Sequence, residues 1–511
     1  MSEMGENFWE QRGVTARRRF AMAISAVISG IFLGCAVGPD FQVPKAPTTK
    51  AYTAEALPVE TDAAPGTAGA AQRFSPGKDI PLEWWTLLHS EELDQLIRQA
   101  LADSPTIAAA KARLREADEN RRAQYGAFFP AADANISASR QKISGAGFGQ
   151  PESDISAFNL YNASVIVSYS PDLFGGTRRK LEALQSQIDY QRFQLEGVYL
   201  TLTANIVTAA VKDASLRAQI RAMREIIEAQ EKQLDVVEEQ LRLGGVSRSD
   251  VLAQRAQVAQ TQALLPPLEK QLAQTRHQLA VLAGRLPSEA ALPEFALDDF
   301  QLPEELPVSL PSLLVRQRPD IRAAEETLHA ASAQVGVSTA NLYPQITLTG
   351  SFGLEAGTIG DLFNSGAAIW SLGAGLLQPI FHGGALTAQR RAAIAVYDQA
   401  SAQYRDTVLQ AFQSVADVLR ALDGDASTLK AQAEAEAAAR DTLDLTEKQF
   451  QLGAVSYLSL LNAERQHEQA RLALVQAQAA RFADTAALYQ ALGGGWWNRS
   501  PQAEAAVIKA E

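Results

Sequence analysis

Cysteine is nearly absent: Cys35 is the only one in 511 residues, so no disulfide can close within the chain. Histidine is scarce, and His89, His277, His329, His382 and His467 are scattered without a metal-ligand spacing such as H-E-x-x-H. Basic clusters are missing as well. The 58 acidic and 46 basic side chains leave a net charge of −12, which excludes the phosphate-neutralising surface of a nucleic-acid binder. Gly493 to Gly495 lack the Lys-Ser/Thr of a phosphate-binding loop and lie at a helix end. No enzyme, metal site or soluble cofactor is therefore expected. The apolar run at 21–33 is too short for a membrane-spanning helix.

That run does fit a targeting segment. Arg12 and Arg17 to Arg19 give it a basic start, and Gly34-Cys35 end it, so residues 1–34 read as a signal peptide and Cys35 as the site of a covalent lipid. Residues 35–79, rich in Pro, Ala, Thr and Gly, read as a lipidated tether unable to bury a core of its own. From Leu82 the spacing of Trp84, Trp85, Leu88, Leu93, Leu96, Ile97 and Leu101 is helical, and Ser104 begins a second helix ending near Gly126.

A glycine turn occurs twice, as Leu243-Gly244-Gly245-Val246-Ser247 and Leu452-Gly453-Ala454-Val455-Ser456. Glycine just past a helix end relieves left-handed strain there, and the serine caps the next helix. The offset between Gly244 and Gly453 is 209 residues, and Gly284 and Gly493 differ by the same number. Upstream, Ser104-Pro105 and Arg318-Pro319 differ by 214. The chain is a duplication, with repeats at 80–285 and 313–497, a connector at 286–312 expected to wrap the outside of the helices, and a polar tail at 498–511.

Each repeat reads helix, strand, strand, long helix, turn, long helix. In 133–141 and 160–170, and again in 345–352 and 370–376, apolar and polar residues alternate with period two, as tilted membrane strands do. Four strands cannot close a barrel in lipid, where open edges are intolerable. A dimer would supply eight strands and a trimer twelve; an eight-stranded barrel is filled by its own side chains, so only the larger assembly leaves a water channel. The proline-free segments 177–243 and 385–452 are long enough for helices of about 100 Å. Ile220, Met223, Ile227, Leu234, Val237 and Leu241 keep heptad spacing, with Gln230 the polar exception. Pro266-Pro267 predicts a kink or break in the first returning helix.

The run Leu314-Val315-Arg316-Gln317-Arg318-Pro319-Asp320-Ile321-Arg322, the Leu-Gly turns, Cys35-Ala36-Val37-Gly38-Pro39-Asp40-Phe41 and the ending Leu488-Tyr489-Gln490-Ala491-Leu492-Gly493-Gly494-Gly495-Trp496 resemble the TolC-like outer-membrane efflux proteins. The resemblance is strongest to the lipoprotein branch that includes OprM and NodT. It implies an α+β membrane protein: a homotrimer with a twelve-stranded outer-membrane β-barrel, four strands per subunit, continuous with a long α-helical periplasmic barrel. It implies an exit channel anchored in outer-membrane lipid and joined to a periplasmic adaptor and an inner-membrane transporter of RND type. Type I secretion, metal efflux and a non-transporting coiled-coil lipoprotein stay open as alternatives. Adaptor docking would fall on the tips, at Leu243, Gly244, Ser247, Leu452, Gly453 and Ser456. A periplasmic gate would fall on Leu458, Asn462 and Arg465, whose spacing puts them on one helical face, with Arg465 paired to Asp250.

Overall fold

The computed structural model describes residues 36–142, 157–289 and 291–499. The targeting segment, Cys35 and the tail beyond 499 lie outside them, and so does the lipid-attachment expectation. In the described part, strand β1 (Arg73–Pro76) precedes helices α1 (Glu91–Asp103) and α2 (Pro105–Tyr125). Strands β2 (Ala131–Gln141) and β3 (Phe158–Tyr169) follow, then the long helix α3 (Gly176–Arg242) and its return α4 (Arg248–Leu282). After strand β4 (Glu305–Val308) the second repeat runs α5 (Pro311–Gln317), α6 (Pro319–Ala340), β5 (Gln345–Ala356), β6 (Ala368–Leu377), α7 (Ala385–Gln451) and α8 (Tyr457–Ala491).

The duplication is written into the backbone. The bounds 176, 242, 248 and 282 recur 209 residues later as 385, 451, 457 and 491, so the paired helices have equal lengths of 67 and 35 residues. Each ends in the same turn, because Gly244 and Gly453 both take positive φ, at 79° and 72°. In both turns an amide reaches back five residues, Gly245 N to Gln240 O and Ala454 N to Gln449 O, at 2.8 Å each. The far ends repeat the device: Gly284 and Gly493 take positive φ. They lie so close to the carbonyls of Asp103 and Gln317 that a Cβ would stand 2.8 and 2.7 Å away. No helix among the described residues is long and apolar enough to cross a membrane.

Contacts divide the chain into two compact units, each drawing on both repeats. One holds Arg115–Asp189 and Glu325–Gln403 with the chain up to Val43. It contains a four-stranded antiparallel sheet in the order β2-β3-β5-β6, with β2 and β6 at open edges. The other holds Pro44–Leu114, Tyr190–Ala324 and the chain from Tyr404. Its core gathers Trp84, Leu88, Leu93, Ile97, Ile206, Leu279, Leu419 and Phe482, with Trp84 stacked on Tyr489 at 5.2 Å. Ser90 starts α1 by accepting a hydrogen bond from Leu93 N, which turns Leu93, Leu96 and Ile97 inward.

Three expectations are corrected. Residues 44–78 are not a loose tether. Their polar groups find partners in the connector and the second repeat: β1 pairs in parallel with β4, and fully buried Arg481 donates to Ala68 O, Thr61 Oγ1 and Gln72 Oε1. The connector does more than wrap the helices, since Phe295, Leu297, Phe300 and Leu306 are buried in the core. Of the kink or break expected at Pro266-Pro267, the break does not occur: helix α4 runs through both prolines. Gln262 and Ala263, whose carbonyls lose their donors to the prolines, are exposed, so water can satisfy them.

Candidate functional site

Two regions stand out, one in each unit. In the sheet, register aligns the alternation of all four strands. The row Ala134, Val165, Phe352, Trp370 is apolar across its width, and so are Ala132, Val167, Gly350, Leu372 and Ile136, Ala163, Leu354, Ala368. Between them lies the row Asp133, Ile166, Ser351, Ser371, on the opposite face. Ser351 and Ser371 share a hydrogen bond of 2.8 Å, and Asn162 donates to Glu355 at 3.3 Å. The apolar face is not covered by the chain itself: Trp370 is 72% exposed and Phe352 64%. A one-residue slip would send every side chain to the wrong face, so the pattern fixes the pairing.

Beside the sheet, in the same unit, residues 36–41 are clamped in a groove that sequence reasoning missed. Val37 N donates to Phe174 O at 3.1 Å, and Arg179 donates to Val37 O and Asp40 Oδ1 at 3.3 and 2.6 Å. A Cβ on Gly38 would lie 2.5 Å from Gly336 Cα, so two glycines allow the crossing. Phe41 stacks on His329 at 4.3 Å, and that ring faces Glu182 at 3.1 Å and Glu326 at 3.4 Å. The signal lay in Val37 to Phe41, a run legible only as a resemblance. Among the described residues no three His, Cys, Asp or Glu side chains are placed to hold a metal.

The second region is the tip of the helical hairpins. Leu234, Val237, Leu241, Val246 and Val251 of the first hairpin pack with Leu443, Phe450, Tyr457, Leu460 and Leu461 of the second. The heptad stripe on α3 therefore ends in a seam joining both copies. Leu243 and Leu452 project beyond it, 78% and 84% exposed. Ser247 and Ser456 are the helix caps the sequence implies, accepting from Asp250 N and Ser459 N at 3.3 Å each.

Leu458, Asn462 and Arg465 share the exposed face of α8, while Tyr457, Leu460, Leu461 and Glu464 turn inward. The Arg465–Asp250 pair is not formed within the chain. Asp250 is committed to a capping box, accepting Ser247 N at 2.9 Å and Ser247 Oγ at 2.7 Å, and Arg465 Nε donates instead to Gln257 Oε1 at 2.7 Å.

Behind the exposed face lies a buried polar seam. Tyr457 donates to Gln254 Oε1, Gln254 donates to Gln230 O at 3.1 Å, and Thr261 donates to Glu468 Oε2 at 3.4 Å. Burial raises the Glu468 carboxyl above its ordinary value. Burial, then the Glu447 and Glu468 carboxylates, push Glu464 up to about 7, against the opposing pull of Gln254 and Arg465. Of these residues only Gln230 left a sequence signal, as the polar break in the heptad stripe.

Comparison with known proteins gives one consistent match. The family model described as outer membrane efflux protein fits residues 96–285 and 310–494, one stretch in each repeat. The pyoverdine export outer membrane protein OpmQ of Pseudomonas aeruginosa is 34% identical over 417 residues, 81% of this chain and 87% of that one. The toluene efflux pump outer membrane protein TtgC of Pseudomonas putida is 30% identical over 489 residues, covering 94% and 96%. The solved outer-membrane channel OprN superposes with a TM-score of 0.80 at 29% identity, over 90% of this chain and 100% of that one.

Proposed function

The chain belongs to the outer membrane efflux protein family, and on that premise we propose that three copies form the exit duct of a tripartite efflux pump. The chain is the outer-membrane component of that system and extends into the periplasm. The observation that carries the trimeric reading is the sheet. All four strands turn apolar residues to one face, and among the described residues the outer edges of both end strands, of 11 and 10 residues, are unpaired. In lipid each unpaired backbone group costs several kcal/mol, on the order of the transfer penalty for a bare amide. Pairing β6 of one copy with β2 of the next removes all the edges at once. Twelve strands then enclose a polar lumen.

The tips carry the partner contacts in this reading: Leu243, Gly244, Ser247, Leu452, Gly453 and Ser456 meet the periplasmic adaptor, which leads to an inner-membrane transporter of RND type. Leu458, Asn462 and Arg465 ring the axis as a gate. A hydrophobic ring at Leu458 resists wetting, and an uncharged ring at Asn462 gives no cation preference. A lipid on Cys35 anchors the assembly. The named relatives export cargo as different as pyoverdine and toluene, which supports cargo choice by the transporter and not by the duct. Native mass spectrometry of the purified chain should give three copies carrying acyl mass. A monomer in a membrane-mimetic detergent, in protein whose strands are intact, would contradict the shared barrel.

A further inference from the structure

Glu464 is a buried carboxylate at the tip that the gate reading leaves unused. It sits on α8 between Asn462 and Arg465 in sequence, but on the opposite, inward face, 8% exposed, and its Oε2 has no hydrogen-bond partner. A carboxylate taken out of water without a donor for each oxygen is strongly disfavoured. A metal ion would relieve it, but no metal-holding group exists among the described residues. A proton on the carboxyl removes that charge in place.

The surroundings favour the neutral acid. From α7, Glu447 faces it, with Asp444 and Lys448 acting on Glu447 in turn. From α8 itself come Glu468 and Arg465, and Arg465 is already engaged with Gln257. From α4 comes only the neutral amide of Gln254, which Tyr457 and the Gln230 carbonyl of α3 hold in place. His467, one turn along α8, is directed to Glu436 at 3.6 Å.

We propose that Glu464 is a proton-binding residue that couples closure of the periplasmic tip to pH: protonated, it lets α8 pack against α4 and α7, and ionised, it drives them apart. Because Leu458, Asn462 and Arg465 ride on the same helix, loosening α8 moves the gate. The inference rests on the channel reading above.

The sign follows from linkage. A packed state that holds its proton up to about 7 is favoured over a solvated state near the ordinary value of 4.5. Packing is therefore firmest below about pH 4.5, weakens as pH rises through the interval, and changes no further above about 7. The open-to-closed ratio should rise roughly a hundred-fold per chain across it.

The test is resting conductance of purified full-length trimers in planar bilayers from pH 5 to pH 8. Wild type should rise with pH and level off near 7, while Glu464→Gln, which keeps the shape and removes the charge, should stay at the low acid level throughout. Glu447→Gln removes the second cause of the shift, so its rise should be smaller and complete at a lower pH. A flat wild-type profile, or a rise that Glu464→Gln retains in full, overturns the proposal. Folded trimers that conduct at no pH overturn the channel reading itself.

Discussion

The two hairpin tips share a backbone and differ in chemistry. Helices α4 and α8 start with the same serine cap after the same glycine turn, 209 residues apart. Yet where the first has Arg248, Ser249, Ala253, Arg255 and Ala256, the second has Tyr457, Leu458, Asn462, Glu464 and Arg465. Arg255 lies on the surface, bonded to Glu238 at 2.7 Å, whereas its counterpart Glu464 is buried. Duplication copied the elements that fix geometry, the glycines and caps, and left the side chains between them free to diverge. At the tips, gate candidates and buried carboxylates therefore fall in one copy, although both copies present an exposed leucine.

That contrast can be broken in steps. The largest effect is expected at the shared seam: Leu460→Ala should weaken tip packing by about 2–5 kcal/mol, and its counterpart Val251→Ala, which removes less volume, by about 1–3 kcal/mol. Hydrogen exchange of the tip amides would read both, and a tenfold smaller loss of protection in either would show that the copies do not share one core. Next come the turns. Gly244→Val and Gly453→Val meet no atoms within 4 Å of the new Cβ, so each tests the left-handed backbone alone and should cost about 1–2 kcal/mol. Equal costs with loss of efflux from both would sharpen the symmetry; normal efflux would remove the tips from docking. The smallest effect separates the caps. Asp250→Ala breaks a reciprocal capping box and should cost about 1 kcal/mol, whereas Ser459→Ala removes only a hydroxyl contact to Ser456 and should cost less than about 0.5 kcal/mol. Exchange at the Ser247 and Ser456 amides distinguishes them.

Much of this was legible in the chain because it rests on local rules. Helix ends at glycine read from the sequence fall within one residue of those observed, 177–243 against Gly176–Arg242, since positive φ is a property of the single residue. The strands were legible because period two in this sequence has few exceptions. What stayed hidden depends on distant partners. Nothing in residues 44–78 says that Arg481, four hundred residues on, will hold their carbonyls. The phenylalanines of the connector reveal burial only once a core exists to receive them. Pro266-Pro267 signals a kink or break, and solvent on that face lets the helix run on without the break. Asp250 has the right charge to pair with Arg465, and its own cap, three residues away, claims it first. Glu464 is written like any surface glutamate on a helix.

The most direct measurement is current through purified, lipid-reconstituted trimers. At pH 5 wild type should conduct at a low resting level, Leu458→Ala combined with Arg465→Ala should raise that level several-fold, and Ser249→Ala at the matching place in the first copy should change nothing. No current from correctly folded trimers of any of the three would contradict the channel, and equal responses from both copies would contradict a gate confined to the second.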